Sequence, residues 1–375
     1  MKNQKVLIYP YDCNFTPLLR HRKFWDGYEI VSLASPGGWG LTGRDGGEAD
    51  KGGETGINIT GNFDEGMELC NTVMFVDSYR HLDFQKYILP KINSAVEQGK
   101  DIIITITLNS EDYDEIFEKC KTKEVDFKYF TYLEKNEKFT PIGSENEFLH
   151  NINTPIVLVL GIGERTNKFE IQLSLREKFL NDGYKVGQIG TRGYCEMLGF
   201  HSFPKFMYDG AIPETNKIVL FNHLVKKIEK EEQPDVIIIG IPGGIMPFNN
   251  NLVNHFGIIA YEVSQAVAAD SAIFSCHYAE HYSDYFTKLS DLIKYRLGCE
   301  INCYNMANVS FDWSNSKYEN KMLYTTLDSN FIDEKITDYK TLSTPVFNVH
   351  NSRGAGEMAE YIINTLSEYG KTACI

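Results

Sequence analysis

Gly161, Gly163, Arg165 and Lys168 stand close together in the stretch Gly161-Ile-Gly-Glu-Arg-Thr-Asn-Lys168-Phe169. Glycines let a backbone approach a ligand closely, and two cations beside them can neutralise an anion, so this spacing is that of a phosphate-binding turn. The standard phosphate loop has Gly six residues and one residue before its lysine and Ser or Thr directly after, because the loop amides wrap phosphate and the hydroxyl holds Mg²⁺. Here Asn167 precedes Lys168, Phe169 follows it, and the leading glycine lies seven residues upstream. Phe169 cannot hold a metal, and the apolar run from Val236 ends at Ile239-Gly240 without the carboxylate a metal would need there. The pattern leaves Mg²⁺ without its usual ligands and predicts anion binding in preference to hydrolysis. Arg165 and Lys168 beside loop amides suffice for an anion without metal. An ordinary strand-to-helix turn with a solvated lysine would carry the same residue types, and the sequence leaves that reading open.

Strands and helices must position this turn. Ile156 to Leu160 is a continuous apolar run, as a parallel strand covered on both faces requires. Phe169, Leu173, Leu175 and Phe179 then recur at helical spacing until Asn181-Asp-Gly183. The turn therefore sits at a helix N-terminus, where free amides and the helix dipole favour negative charge. Further strands are predicted at Lys185 to Gly190, Val236 to Gly240, Ala272 to His277, Glu300 to Met306 and Thr344 to Val349, with a helix over about 216–230. Their carboxyl ends would gather the phosphate turn, Gln188 to Arg192, Gly240 to Gly244 and Cys276-His277 on one rim. The candidate ligand-binding set is Gly161, Gly163, Glu164, Arg165, Asn167, Lys168, Gln188, Thr191, Gly243, Gly244 and His277, with no metal ligand and no assigned catalytic residue.

The first 150 residues repeat the alternation. Val6 to Tyr9, Tyr28 to Leu33, Thr72 to Val76 and Ile102 to Ile106 read as strands, and Phe84 to Glu97 as a helix ending at Gly99. Right-handed crossovers make such a sheet parallel. Polarity rises without periodicity between Leu133 and Thr154, which places the domain boundary there. The fold class is α/β: a Rossmann-like, doubly wound domain over residues 1–140, then a phosphate-loop NTPase-like parallel α/β domain over 155–375. In the first domain Asp12, Asp77, Ser78 and Thr107 fall at strand ends, as site residues or as caps. The glycine-rich run from Ser35 to Gly61 is either a flap bearing Trp39 and Arg44 or a flexible surface loop.

At 375 residues the chain is long enough for roughly two to three domains. Its net charge of −14 (37 Lys and Arg against 51 Asp and Glu) argues against a nucleic-acid footprint. No run reaches membrane-spanning length and no signal-peptide core is visible, so a cytoplasmic protein without membrane contact is expected. The eight cysteines form no CxxC pair and read as buried thiols. His277-Tyr-Ala-Glu280-His281 matches the inverted zinc-peptidase pattern, which needs a helix and a third ligand. Here it starts at a strand end, so zinc is not expected. The turn His350-Asn-Ser-Arg353-Gly-Ala-Gly356 before the last helix is a second place where an anion could sit, or a plain helix start.

Taken together these motifs resemble a family. Gly187-Gln188-Ile189-Gly190, the Gly240 to Gly244 turn and Ser275-Cys276-His277 resemble the strand ends of D-glutamate N-acetyltransferase-like proteins, in which a Rossmann-like domain precedes a dethiobiotin-synthetase-like phosphate-loop domain. Over its whole length the chain is similar to a clostridial family of natural-product peptide maturation proteins. The stretches that carry this are Tyr9-Pro-Tyr11, Ser35-Pro-x-Gly-Trp39-Gly-Leu41, Gly161-x-Gly163-Glu164-Arg165-x-x-Lys168-Phe169, Gln188-Ile-Gly-Thr191 and Gly199-Phe-His-Ser-Phe-Pro204. The resemblance implies a short Cys-rich precursor peptide and a radical S-adenosylmethionine maturase as partners. It also implies ATP, GTP or another phosphate-bearing molecule as ligand. Two functions stay open: an accessory protein that binds an anionic ligand or peptide through a degenerate phosphate loop, and a transferase or ligase acting on a peptide or amino acid with a nucleotide or acyl donor. A homo-oligomer is compatible with either.

Overall fold

The computed structural model of the chain describes residues 3–130, 148–319 and 321–372. Two compact units result, residues 1–133 with 193–199, and residues 134–192 with 200–375. The expected domain end at residue 140 lies outside the described residues.

In the first unit the elements are β1 Gln4–Tyr9, α1 Thr16–Arg20, β2 Tyr28–Ala34, β3 Ile59–Thr60, α2 Phe63–Glu68, β4 Thr72–Phe75, α3 Leu89–Glu97, β5 Asp101–Ile104, α4 Ser110–Thr122 and β6 Phe127–Tyr129. The six strands are parallel in the order β3-β2-β1-β4-β5-β6, the doubly wound order with its switch point between β1 and β4. Strand residues alternate between two cores: Leu7, Val73, Phe75, Ile102 and Ile104 pack with α2, α3 and α4, while Val6 and Ile8 are buried on the opposite face. The expected helix from Phe84 is a single π-type turn, Phe84–Ile88, before α3 begins at Leu89 with Pro90 in its first turn. Proline's fixed φ suits a first helical turn, so it starts the α-helix rather than breaking it.

The second unit runs β7 Ile156–Gly161, α5 Lys168–Asn181, β8 Val186–Gly190, β9 His201–Ser202, α6 Glu214–Glu232, β10 Val236–Gly240, α7 Ile258–Ala266, β11 Ser271–Tyr278, α8 Ser283–Leu297, β12 Cys303–Phe311, α9 Trp313–Glu319, β13 Tyr324–Thr326, α10 Ser329–Ile336, β14 Val346–Phe347 and α11 Ser352–Thr372. The sheet order is β13-β12-β11-β7-β10-β8-β9, with β14 also on β12. Only β13 runs antiparallel. Every residue of β7 is buried. Ile156, Leu158 and Leu160 face a core shared with α6, α7 and α8, and Val157 and Val159 face one shared with α5 and α11. The central strand is thus fixed from both sides, and the turn that leaves it has a rigid base.

Candidate functional site

The turn between β7 and α5 has the shape the sequence suggested and a filling it did not. Asn167 adopts φ 60°, ψ 20°, so it supplies the left-handed conformation that the usual glycine before the lysine provides. Asn tolerates that region better than other side-chain-bearing residues. Arg165, with φ 56°, is left-handed as well. Residues of this kind bend successive amides into anion-binding concavities. Among the described residues, the backbone amides of Gly163, Glu164, Thr166 and Asn167 donate to no protein acceptor. The turn is braced from below: Ser275 Oγ donates to the Thr166 carbonyl, Asn305 Nδ2 donates to Ser275 Oγ at 2.7 Å, and Thr166 Oγ1 donates to the Gly163 carbonyl at 3.2 Å. Asn167 Nδ2 reaches Asn308 Oδ1 on β12 at 3.1 Å.

Lys168 is buried, not solvated. Its ammonium donates to the carbonyl of Gly163 at 3.1 Å and to that of Gly243 in the β10–α7 loop. Burial pushes its pKa down, with the Glu164 carboxylate opposing. Glu164 Oε1 accepts from the Gly243 amide at 3.0 Å. Gly243 is therefore held at both its carbonyl and its amide, by the lysine and the acid of the phosphate turn.

Two further grips fix the same loop. The Phe248 ring lies against Gly163, where a Cβ would come within 2.8 Å of it. Asn254 Nδ2 donates to the Ile162 carbonyl at 3.2 Å and to that of Met246 at 3.0 Å. Gly244 is required there, because a Cβ would meet the Asn254 amide at 1.9 Å and the Ile162 carbonyl at 2.3 Å. Asn254, His255, Phe256 and Gly257 all have positive φ, a full left-handed turn that L residues adopt only at a cost.

His277 closes the site from β11. Its Nε2 lies 2.7 Å from the Glu164 carbonyl, which requires the proton on that nitrogen. Burial pushes its pKa down to about 4, assisted by the Lys168 and Arg165 charges and opposed by that hydrogen bond, so the ring is neutral at physiological pH. It belongs to an aromatic wall. Phe248 and Phe311 stack at 5.0 Å and 6°, Phe311 and Trp313 meet edge-on at 4.6 Å, His277 and Tyr324 lie 5.1 Å apart, and the Arg165 guanidinium sits 5.6 Å from the centre of Tyr324.

The structure thus brings together Gly161, Gly163, Glu164, Arg165, Asn167, Lys168, Gly243, Gly244 and His277. It sets Gln188 apart: the side chain is 0% exposed, and neither amide atom has a partner among the described residues. Gln188 shares its strand face with Val186 of the core under α5 and does not stand on the rim. No described contact joins Thr191 to the turn, although its neighbour Arg192 stacks on Phe169 at 5.5 Å. Phe248, Asn254, Trp313 and Tyr324 were not foreseen as site residues; the only hint was the unusual Pro-Phe-Asn-Asn-Asn run after Gly243-Gly244.

The residues do not fit a metal held in the usual way. Phe169 is packed under Arg192, and at the end of β10 the space above Gly240 is filled by Gln172, whose amide carbon would lie 2.2 Å from a Cβ there. Asp235 is at the other end of that strand and accepts from the Lys185 amide at 2.7 Å. His277 and His281 do not share a helix face, since His277 lies in β11 and His281 stacks on Tyr285 at 4.0 Å. Among the described residues no cluster of His, Cys, Asp or Glu is arranged to hold a metal. No disulfide joins the described cysteines; burial pushes the Cys276 thiol up to about 12 and Cys299 up to about 11.

Other candidate residues are engaged in contacts of their own. Arg353 is exposed and pairs with Glu357 at 2.8 Å, while Asn351 Oδ1 caps the Gly354 amide at 2.7 Å, so this helix start is already capped. In the first unit, Asp12 accepts from the amides of Asn14 at 2.8 Å and Tyr79 at 2.6 Å, tying the loop after β1 to the loop after β4. That tie spans the switch point, and Pro10-Tyr11-Asp12 stands where a dinucleotide fold places its glycines. The Ser78 hydroxyl bonds its own turn at Arg80. The Ser35 to Gly61 run is organised about Asp45, whose carboxylate accepts from the amides of Gly47, Thr55 and Gly56 and from the Thr55 hydroxyl at 2.7–3.0 Å. Burial pushes the pKa of Asp45 up, but those donors outweigh it and hold it below the usual range. Trp39 packs with Arg80 of the loop after β4 at 5.7 Å, and Arg44 pairs with Glu48 within the run.

No family profile matches the chain, and no curated protein matches it. Among solved structures, a DUF1611 family protein from Anabaena variabilis superposes with a TM-score of 0.59 at 12% identity, over 96% of this chain and 100% of that one. At that identity the likeness establishes the fold. A cobyrinic acid a,c-diamide synthase from Mycobacterium smegmatis with bound ADP and magnesium gives 0.33 at 12% identity, over 57% of this chain and 96% of that one. A 3-ketoreductase from Actinomadura kijaniata in complex with NADP gives 0.28 at 11% identity, over 50% and 61%. The fold class is α/β, a Rossmann-like unit followed by a phosphate-loop-like parallel unit, and no described helix is long and apolar enough to cross a membrane.

Proposed function

We propose that the second unit binds a phosphate-bearing anion at the turn from Gly161 to Lys168 without Mg²⁺, and that the protein acts through this binding. The observation that carries the reading is the set of loop amides, of Gly163, Glu164, Thr166 and Asn167, with no acceptor among the described residues, beside two cations. Such amides at a helix N-terminus are complementary to phosphate oxygens. Phe169 and Gln172 occupy the places where a metal's ligands would stand, which argues for binding over turnover. Of the expected ligands, ATP, GTP or a related phosphate ester fits this chemistry. The likeness of the sequence to peptide maturation proteins supports an accessory role beside a Cys-rich precursor peptide and its radical maturase.

Calorimetry with ADP, GDP and pyrophosphate, with and without EDTA, tests the first part. Binding should persist in EDTA and fall at least tenfold in Lys168→Ala. Loss on chelation, or affinity unchanged in the Arg165→Ala, Lys168→Ala double variant, would refute it. The second part is tested by the mass of a co-expressed precursor peptide, which should change only when this protein is present.

A further inference from the structure

The aromatic wall beside the phosphate turn has no role in holding a phosphate. It is assembled from three separate segments: Phe248 from the β10–α7 loop, Phe311 and Trp313 from the end of β12 and the start of α9, and Tyr324 from β13. Its inner end touches the turn, since Phe248 lies on Gly163 and Tyr324 lies under Arg165. Its outer end is open: Trp313 is 56% exposed even though its ring packs edge-on to Phe311 at 4.6 Å and to Phe248 at 6.1 Å. Cations and loop amides thus stand at one end of a continuous apolar surface and a large, half-exposed indole at the other. A ligand complementary to both ends carries negative charge on one side and a flat ring on the other.

We propose that the ligand of the phosphate turn carries a planar aromatic ring system, as a nucleotide does, and that this ring seats on Trp313 and Tyr324. The proposal rests on the phosphate-binding reading above and adds the part of the ligand that the turn cannot recognise. Stacking on an exposed aromatic ring is tolerant of base identity, since every base has a π-face. Adenine and guanine nucleotides should therefore bind with similar affinity. Arg165, between the turn and Tyr324, is placed to meet the phosphate and the ring edge of the same molecule.

The test is calorimetry on the full chain in EDTA with ADP, GDP and methyl diphosphate, which keeps the diphosphate monoester and its charge but has no base. Both nucleotides should bind about tenfold tighter or more than methyl diphosphate. Trp313→Ala should remove that advantage and leave methyl diphosphate unaffected, while Trp313→Phe should keep part of it. Because Trp313 is largely exposed, its truncation leaves the core intact, which circular dichroism would verify. Equal affinity for the three ligands would overturn the ring site and leave the phosphate reading standing. A nucleotide advantage that survives Trp313→Ala with Tyr324→Ala would overturn it too. If none of the three binds, the phosphate reading fails and this inference with it.

Discussion

Protonation of His277 offers a direct check on the geometry of the site. In the folded protein its pKa is about 4, whereas an exposed histidine titrates near 6.5. The unfolded chain therefore binds more protons than the folded one between these values, and stability falls as pH falls through this window. At pH 5 the unfolded imidazole is almost fully charged and the folded one almost neutral, so linkage predicts a loss of about 2 kcal/mol relative to pH 7 from this residue alone. The remainder of the penalty appears as pH approaches 4, and below that the difference is constant. The assay is guanidinium unfolding at pH 7 and pH 5, followed by Trp313 emission in a Trp25→Phe, Trp39→Phe background. The same measurement on His277→Gln supplies the reference, because Gln can keep the hydrogen bond to the Glu164 carbonyl but cannot titrate. His281, whose pKa burial also lowers, is common to both proteins and cancels. If the two proteins lose equal stability between pH 7 and pH 5, His277 is not buried as a neutral ring and its place against the phosphate turn is wrong.

Other expectations follow from single contacts. Gly244→Ala should destabilise the second unit by roughly 1–3 kcal/mol, since its methyl must displace the Asn254 amide and the Ile162 carbonyl; an unchanged denaturation midpoint would contradict the loop packing. Asp45→Ala removes one acceptor from four donors, and limited proteolysis should then cut the 35–61 segment at least several-fold faster than in the parent. Equal cleavage rates would show that the carboxylate does not organise that loop. Gln188→Met replaces two enclosed amide atoms that have no described partner and should raise stability by about 1 kcal/mol, measured by chemical denaturation. A fall instead would reveal a buried water or ligand bonded to that amide.

Much of this architecture was legible because burial on both faces leaves a plain mark. Ile156 to Leu160 and Val236 to Ile239 read as central parallel strands, and the structure puts them side by side. What could not be read was the filling of the turn. Gln172 covers Gly240 through helix geometry, and Phe248 reaches Gly163 only after the β10–α7 loop has folded back over some eighty residues of sequence separation. The strand parity that turns Gln188 inward also depends on register, which a short run such as Val186 to Gly190 does not specify by itself. The loop around Asp45 was ambiguous for a related reason: glycines announce unusual backbone, but only the folded loop shows one carboxylate satisfying four donors.

The grip of Lys168 and Glu164 on the Gly243 peptide means that any anion arriving at the turn competes with the protein's own backbone. The carbonyl of Gly243 is present at an effective concentration that no dilution lowers, and on the proposed reading an anion's apparent dissociation constant would be the intrinsic one divided by the fraction of molecules in which that carbonyl has let go. Every 1.4 kcal/mol by which the closed arrangement is favoured raises that constant tenfold. Every ligand of the turn would meet the same factor, and it is written into a main-chain carbonyl that side-chain substitution at Gly243 does not remove.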